Sequence, residues 1–341
     1  MRRVRLLTLL ACLLVGLAAA PAASSSRARG SWAQPAIKTV VAHGLMAPSV
    51  ATFRPNQALT QSELRDLVAG LTEQPPQAVS NAAAPVTMAQ LDARLVRALG
   101  MSAEASIFYD SAAAAGLRPP SRFGTEVVAR LLGLRTNHPT AQDNLERLPS
   151  DPAPRAEAAY SAAQILQFSD WEKQSVQDAA ATFELPTFTP WQRRILTTAV
   201  SFIGYPYVWG GESELANSPF GVQASGGFDC SGFAWRVFKL QSYPSAPKLT
   251  NVLRGRTAAD MAGEVPRRRR IKFANLAPAD LLFFGDGGRR AKAAQVDHVA
   301  IYLGNGWLIH SSRYGVALAP VAGWYADRLA WGRRPLSEAG L

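Results

Sequence analysis

The fold class predicted by the sequence is α+β: a small all-helical part, followed by a part in which helices pack on an antiparallel sheet. Two observations carry it. Between residues 51 and 168, apolar residues recur at helical spacing behind polar or proline starts. Near the other end, His298 to Gly304 (HVAIYLG) and Trp307 to Ser312 (WLIHSS) alternate about Gly304-Asn305-Gly306, a hairpin signal. A third observation concerns chemistry: Gly227 to Phe233 (GFDCSGF) places a cysteine at the head of an amphipathic segment.

The elements follow in chain order. Residues 1 to 5 are basic, Leu6 to Ala19 are almost wholly apolar, and Ala20-Pro21-Ala22 is a small-x-small cleavage site, so 1–22 is predicted to be a signal peptide. The alternative, a lipoprotein box at Leu9-Leu10-Ala11-Cys12, would leave only a stub of apolar residues ahead of the cysteine. No later stretch approaches eighteen continuous apolar residues, so no transmembrane segment is predicted and the mature chain is expected to be secreted. Residues 23–50, rich in Ala, Ser, Arg and Pro without a sustained period, are predicted to be a linker.

Within 51–168, the segments Thr60 to Leu71, Thr87 to Gly100, Phe123 to Gly133 and Pro154 to Leu166 each place apolar residues at helical spacing and form an irregular internal echo. They open like capping boxes or proline-started helices. Residues 169–189 supply a connecting helix and a linker. A final part, 190–332, opens with a helix from Trp191 to Ile203 whose Ile195, Ala199 and Phe202 share one face.

A formal charge of +11 and a pI near 10.1 imply affinity for polyanions. Outside a cell these are wall polymers, peptidoglycan carboxylates and membrane surfaces; nucleic acid is not an expected partner. The densest basic run, Arg267 to Arg270, is predicted to be a solvated loop.

Of the two cysteines, Cys12 lies in the predicted signal, which leaves Cys230 alone in the mature chain. A lone thiol in an exported chain cannot close an intrachain disulfide and becomes a candidate nucleophile. Phe233, Ala234, Val237 and Phe238 follow at i+3, i+4, i+7 and i+8, so Cys230 opens a helix with a buried face. The helix dipole and a neighbouring imidazolium would then lower its pKa and supply thiolate near neutrality. Asp229 is placed to cap that helix, with Ser231 a possible helper.

His298 and His310 carry the other half of the chemistry. A two-residue Asn-Gly turn in simple register would put them on opposite faces, whereas a three-residue loop, 304–306, pairs Leu303 with Trp307. That register gathers Val299, Ile301, Leu303, Trp307 and Ile309 on the core face and puts His298 diagonal to His310 on the other. His43 and His138 have no metal-ligand spacing, and neither a metal site nor a cofactor is predicted.

The blocks Tyr205 to Gly211 (YPYVWGG), Gly227 to Phe233, Leu276 to Gly285 (LAPADLLFFG), Asp297 to Gly304 and Leu308 to Ser311 resemble, in order, the NlpC/P60 family of papain-like cysteine peptidases. The resemblance implies a papain-like domain that cuts peptidoglycan stem peptides, commonly between D-γ-glutamate and a diamino acid. It assigns Cys230 as nucleophile, His298 as base and His310 as the orienting third group. It also implies that Asp229, Ser231 and Tyr207 line the cleft, Asp229 meeting a substrate amine and Tyr207 facing the developing oxyanion. Glu212 to Ser225 stand where the family commonly has a much shorter connection. An amidase or acyltransferase on the same scaffold, or a non-catalytic wall-binding protein, are the alternatives. Separately, Phe53-Arg-Pro-Asn, Arg97-Ala-Leu-Gly100 and Pro154 to Ala159 (PRAEAA) resemble S-layer homology modules, which implies attachment to anionic secondary cell-wall polymers.

Overall fold

The computed structural model describes residues 30–341; the expected signal peptide and the first part of the expected linker lie outside the described residues. The helical part contains α1 (Gln34–Ala42), α2 (Gln61–Thr72), α3 (Met88–Ala98), α4 (Ser102–Ala114), α5 (Phe123–Leu131) and α6 (Arg155–Ile165), followed by the connecting α7 (Asp170–Thr182). The starts of α2 and α3 are full capping boxes: Thr60 with Glu63 and Thr87 with Gln90 satisfy each other's free backbone groups. Backbone bridges Ala58 to Pro154, Thr60 to Pro85 and Thr87 to Pro152 bring the entries of α2, α3 and α6 to one locus.

Two helices depart from the sequence expectation. The stretch expected to be a linker folds from residue 34 as α1, and its Ile37 and Val40 are fully buried. Its period is short and its start carries no side-chain cap, which removes the usual signals. The Ala-rich α4 likewise has no side-chain cap and scarcely any apolar stripe, yet it buries Phe108 completely.

The second part begins with α8 (Pro190–Ser201), capped by Thr189. Short strands β1 (Glu212–Ser213), β2 (Asn217–Ser218), β3 (Gly221–Val222) and β4 (Gly227–Phe228) follow; β1 pairs with β4, and β2 with β3. The inserted stretch therefore folds as a ribbon, with Leu215, Phe220 and Val222 exposed on it. After α9 (Cys230–Trp235) and α10 (Ala258–Gly263) come β5 (Leu281–Gly285), β6 (Val296–Gly304), β7 (Trp307–Ser312) and β8 (Gly315–Pro320). The chain ends with α11 (Trp324–Arg328), β9 (Leu329–Arg333) and α12 (Pro335–Ala339). The main sheet is antiparallel in the order β8-β7-β6-β5-β9, and the chain is α+β as expected.

The β6–β7 hairpin corrects the loop expectation and keeps its consequence. The turn has two residues, with Gly304 opposite Trp307, and Asn305 and Gly306 take φ of 48° and 81°, as a two-residue type I′ turn requires. The extra residue sits one step earlier, as a bulge at Leu303 between the Tyr302–Leu308 and Gly304–Trp307 pairs. That bulge restores Ile301 opposite Ile309. Val299, Ile301, Leu303, Trp307 and Ile309 join the main core, while Ala300, Tyr302 and Leu308 belong to a second cluster on the other face.

The main core is continuous from Ala33 to Ala339 and includes both parts of the chain. Phe108 of α4, Phe183 and Trp307 of β7 stack with centroid separations of 4.9, 4.9 and 5.9 Å, joining the helical part to the sheet. Between the two parts, Arg122 donates to the carbonyls of Ser201 and Ile203, and Arg130 to that of Gly204.

Candidate active site

Asp229 takes an extended conformation ahead of α9, and its Oδ1 accepts the Gly232 N–H at 2.5 Å and the Ser231 hydroxyl at 2.9 Å. Asp229 therefore caps α9 as expected, and Ser231 bonds to the capping carboxylate rather than to the helix backbone. Cys230 opens the helix, and Phe233, Ala234, Val237 and Phe238 behind it are all buried, so their packing fixes the sulfur's direction. The thiol meets the backbone of β6 on both sides of His298: Sγ lies 4.0 Å from the Asp297 carbonyl, and the Val299 N–H also hydrogen-bonds to it.

His298 and His310 project from the same face of the sheet, and His298 Nε2 lies 2.8 Å from His310 Nδ1. His310 is 2 % exposed. Its Nε2 reaches the hydroxyl of Tyr325, on α11, at 3.3 Å. Trp324 beside it remains half exposed, with its ring 6.4 Å from that of His298.

The electrostatics overturn the expectation of a resting thiolate. Burial pushes the Cys230 thiol up to about 12, and the Asp229 carboxylate adds to the effect. Burial also lowers His298 to about 4 and His310 well below the usual imidazole range. The dipole of the six-residue α9 does not offset the loss of water around a 9 % exposed sulfur, so thiol and imidazoles are neutral at pH 7. Burial likewise raises the Tyr207 phenol, with Cys230 and Asp229 contributing next, which puts that ring within electrostatic reach of both.

Sequence reasoning missed Arg256. Its guanidinium donates to Asp229 Oδ1 and Oδ2 at 3.1 and 3.0 Å, to Ser231 Oγ at 2.8 Å, to Glu212 Oε2 at 2.9 Å and to the Gly210 carbonyl at 2.8 Å. One side chain thus ties the cap of α9, the inserted ribbon and the loop after Tyr207 together. The amine role that the resemblance implies for Asp229 would have to share its carboxylate with this guanidinium. The only local signal is the capping box of Thr257 and Asp260, which starts α10 one residue later. Asp143, from the helical part, was also missed; it accepts the Trp209 N–H at 2.8 Å.

A model of the NlpC/P60 family matches residues 204–334. This chain carries an NlpC/P60 domain. Over 125 residues it is 30% identical to a gamma-D-glutamyl-L-lysine dipeptidyl-peptidase of Bacillus subtilis (strain 168), covering 36% of this chain and 33% of that protein. Over 113 residues it is 34% identical to the murein DD-endopeptidase MepH of Escherichia coli (strain K12), covering 33% of each. The chain thus spans about a third of the length of these curated relatives. A crystal structure of an NlpC/P60 family protein from Bacillus cereus ATCC 10987 is 27% identical, with a TM-score of 0.33, over 45% of this chain and 42% of that one. The NlpC/P60 domain contains all six residues singled out from the sequence: Tyr207, Asp229, Cys230, Ser231, His298 and His310.

Among the described residues no cluster of His, Cys, Asp and Glu could hold a metal ion, and no helix is long and apolar enough to cross a membrane.

Proposed function

We propose that this protein is a secreted, wall-associated cysteine hydrolase of peptidoglycan stem peptides, cutting the amide between D-γ-glutamate and a diamino acid. The observation that carries it is the 2.8 Å bridge that His298, on the β6 strand against which the Cys230 sulfur packs, makes to His310 of β7. The sulfur attacks the scissile carbonyl as its proton passes to His298, which then gives it to the leaving amine while a thioester forms. Water, deprotonated by the same imidazole, hydrolyses the thioester and frees the thiol. His310 orients His298. The Tyr207 hydroxyl and the Cys230 N–H are the candidate donors to the oxyanion. Two peptidoglycan peptidases among the relatives support the substrate class; the bond cut is proposed from the dipeptidyl-peptidase.

Incubating the mature chain with purified muropeptides and weighing the products tests this directly. Fragments split after D-γ-glutamate, absent with Cys230→Ala, are expected. Cleavage undiminished in Cys230→Ala would overturn the cysteine mechanism.

For the helical part we infer attachment to anionic secondary wall polymers. Support comes from the three helix entries at Thr60, Thr87 and Pro154, which converge through backbone bridges although the segments are unevenly spaced in sequence. The full chain should pellet with purified walls and less so once those polymers are stripped; equal pelleting that salt abolishes would instead indicate simple charge attraction.

A further inference from the structure

We propose that the arginine cluster at the outer edge of β9 is a docking surface for a phosphate-bearing polymer of the wall. The inference goes beyond the hydrolase reading, on which it rests only for the wall as the place of action, and it assigns the charge-driven share of attachment to the NlpC/P60 domain.

The chain's positive charge is unevenly shared. Residues 30–189, which include the described helical part, carry 12 Lys and Arg against 15 Asp and Glu, whereas 190–341 carry 19 against 10. Simple attraction to a polyanion therefore falls to the NlpC/P60 domain. Eight of its cations stand in two short segments: the run Arg267 to Arg270 with Lys272, and Arg289, Arg290 and Lys292. All are exposed except Arg270, which is half-buried. Among the described residues none of the eight enters an ion pair, and the nearby carboxylates are already engaged, Glu264 by Arg333 and Asp286 by Arg328.

The fold holds both segments at one edge of the sheet. β9 is the edge strand, two strands from β6, so the cluster stands about 10 Å or more to the side of the strand that carries His298. The free side of β9 is bridged by Ile271, whose N–H reaches the Gly332 carbonyl at 3.0 Å and whose carbonyl accepts the Gly332 N–H at 2.8 Å. Arg270 lies 3.5 Å over the Trp331 ring, and the three arginines before it form a short turn, Arg267–Arg269. The second segment is seated just ahead of β9, where Gly288 packs so closely on the Asp327 carbonyl that a Cβ would stand 2.5 Å from it. A Cβ at Gly263, close before the run, would lie 3.7 Å from that of Ala293, which follows Lys292, so the two segments are drawn together. Burial lowers the Arg270 guanidinium below its usual range, and the Arg267 charge adds to the effect: like charges face each other here. Six of the eight cations are arginines, whose planar forks take phosphate oxygens in pairs. A polymer of repeated phosphates relieves the mutual repulsion at several of them at once.

Binding is read on the full mature chain carrying Cys230→Ala, with long-chain inorganic polyphosphate and purified walls as the probes. Arg267→Gln/Arg268→Gln/Arg269→Gln should keep the parent circular dichroism spectrum, since these side chains pair with nothing acidic. Its affinity for polyphosphate should fall on the order of tenfold, with a flatter salt dependence. Lys38→Gln/Arg118→Gln/Lys173→Gln removes the same charge outside the cluster and should bind like the parent. Equal losses in the two triple variants would show that net charge alone binds and would overturn the proposal, as would an undiminished affinity in the arginine variant. Tighter binding to phosphatidylglycerol vesicles than to polyphosphate would overturn it too, because the surface would then fit a membrane. Pelleting with walls should lose its salt-sensitive share in the arginine variant, and a salt-sensitive share kept at full strength would count against the cluster. Because no turnover enters, failure of the hydrolase reading would leave every one of these outcomes standing.

Discussion

His310 and His138 are each 2 % exposed, yet the structure charges one and keeps the other neutral. His310, in the cleft, has an imidazole and a phenol for neighbours, and burial drives it well below its usual pKa. Burial would lower His138 too, but its Nδ1 lies 2.9 Å from Glu146 and its Nε2 3.2 Å from Glu157, and these two carboxylates carry it up to about 9. Equal burial thus has opposite outcomes, decided by whether a carboxylate is within reach. The helical part uses buried charge to fix its packing: Asp92, Glu126, Arg130, Arg135 and Glu157 join His138 in one enclosed network, and Arg130 extends it to Gly204 at the head of the Tyr207 loop. The NlpC/P60 domain instead holds its buried thiol and two imidazoles uncharged.

The largest expected effect breaks the neutral side. His298→Ala removes the base proposed above, and muropeptide turnover should fall by about 10³-fold or more while the circular dichroism spectrum stays native. A loss below tenfold would show that the relay is not the proton carrier.

His138→Leu breaks the charged side. It leaves Glu146 and Glu157 buried without their cation and should cost about 3–5 kcal/mol in urea unfolding. The same site sets a pH dependence. Its folded pKa lies above the unfolded value of 6.5, so its stabilisation is complete below pH 6.5 and is lost as pH rises through 9. The wild type should therefore lose about 3 kcal/mol across that window. His138→Gln should flatten the slope there, and an identical slope in the variant would locate the titrating group elsewhere.

Sharpening the neutral side requires the thiol itself. With its pKa raised by burial, Cys230 in the folded chain should be alkylated by iodoacetamide more slowly at pH 7 than free cysteine, and faster as pH rises toward 12. Rapid labelling at pH 7 with a limb near pH 4 would reveal a thiolate–imidazolium pair at rest.

The smallest effect concerns the turn that aligns the two cleft histidines. Gly306 has a φ of 81° with open space where a Cβ would stand, so Gly306→Ala meets only backbone strain of about 1 kcal/mol. A melting temperature lowered by a few degrees, with activity nearly kept, is expected. A collapse in activity would mean that the hairpin register depends on this one residue.

Much of the cleft was legible in the sequence because its signals are local. The apolar spacing behind Cys230 foretold the buried face of α9, and alternation along 298–312 foretold which residues share a face, even though the extra residue was expected in the turn and lies at Leu303. The helices α1 and α4 were not legible, since neither has a side-chain cap; what holds them is a core built by distant residues. Arg256 and Tyr325 were not legible either. Arg256 meets Asp229 across 27 positions and Tyr325 meets His310 across 15, and no period or spacing encodes such contacts.

The sequence by itself determined the place of Cys230 at a helix start and the common face of His298 and His310, because helix and strand periods are properties of neighbouring residues. Only the tertiary structure decided the charge states of thiol and imidazoles, the guanidinium on Asp229 and the hydroxyl on His310. Burial and long-range contact set these, and they exist only once the helical part, the inserted ribbon and α11 have closed around the sheet.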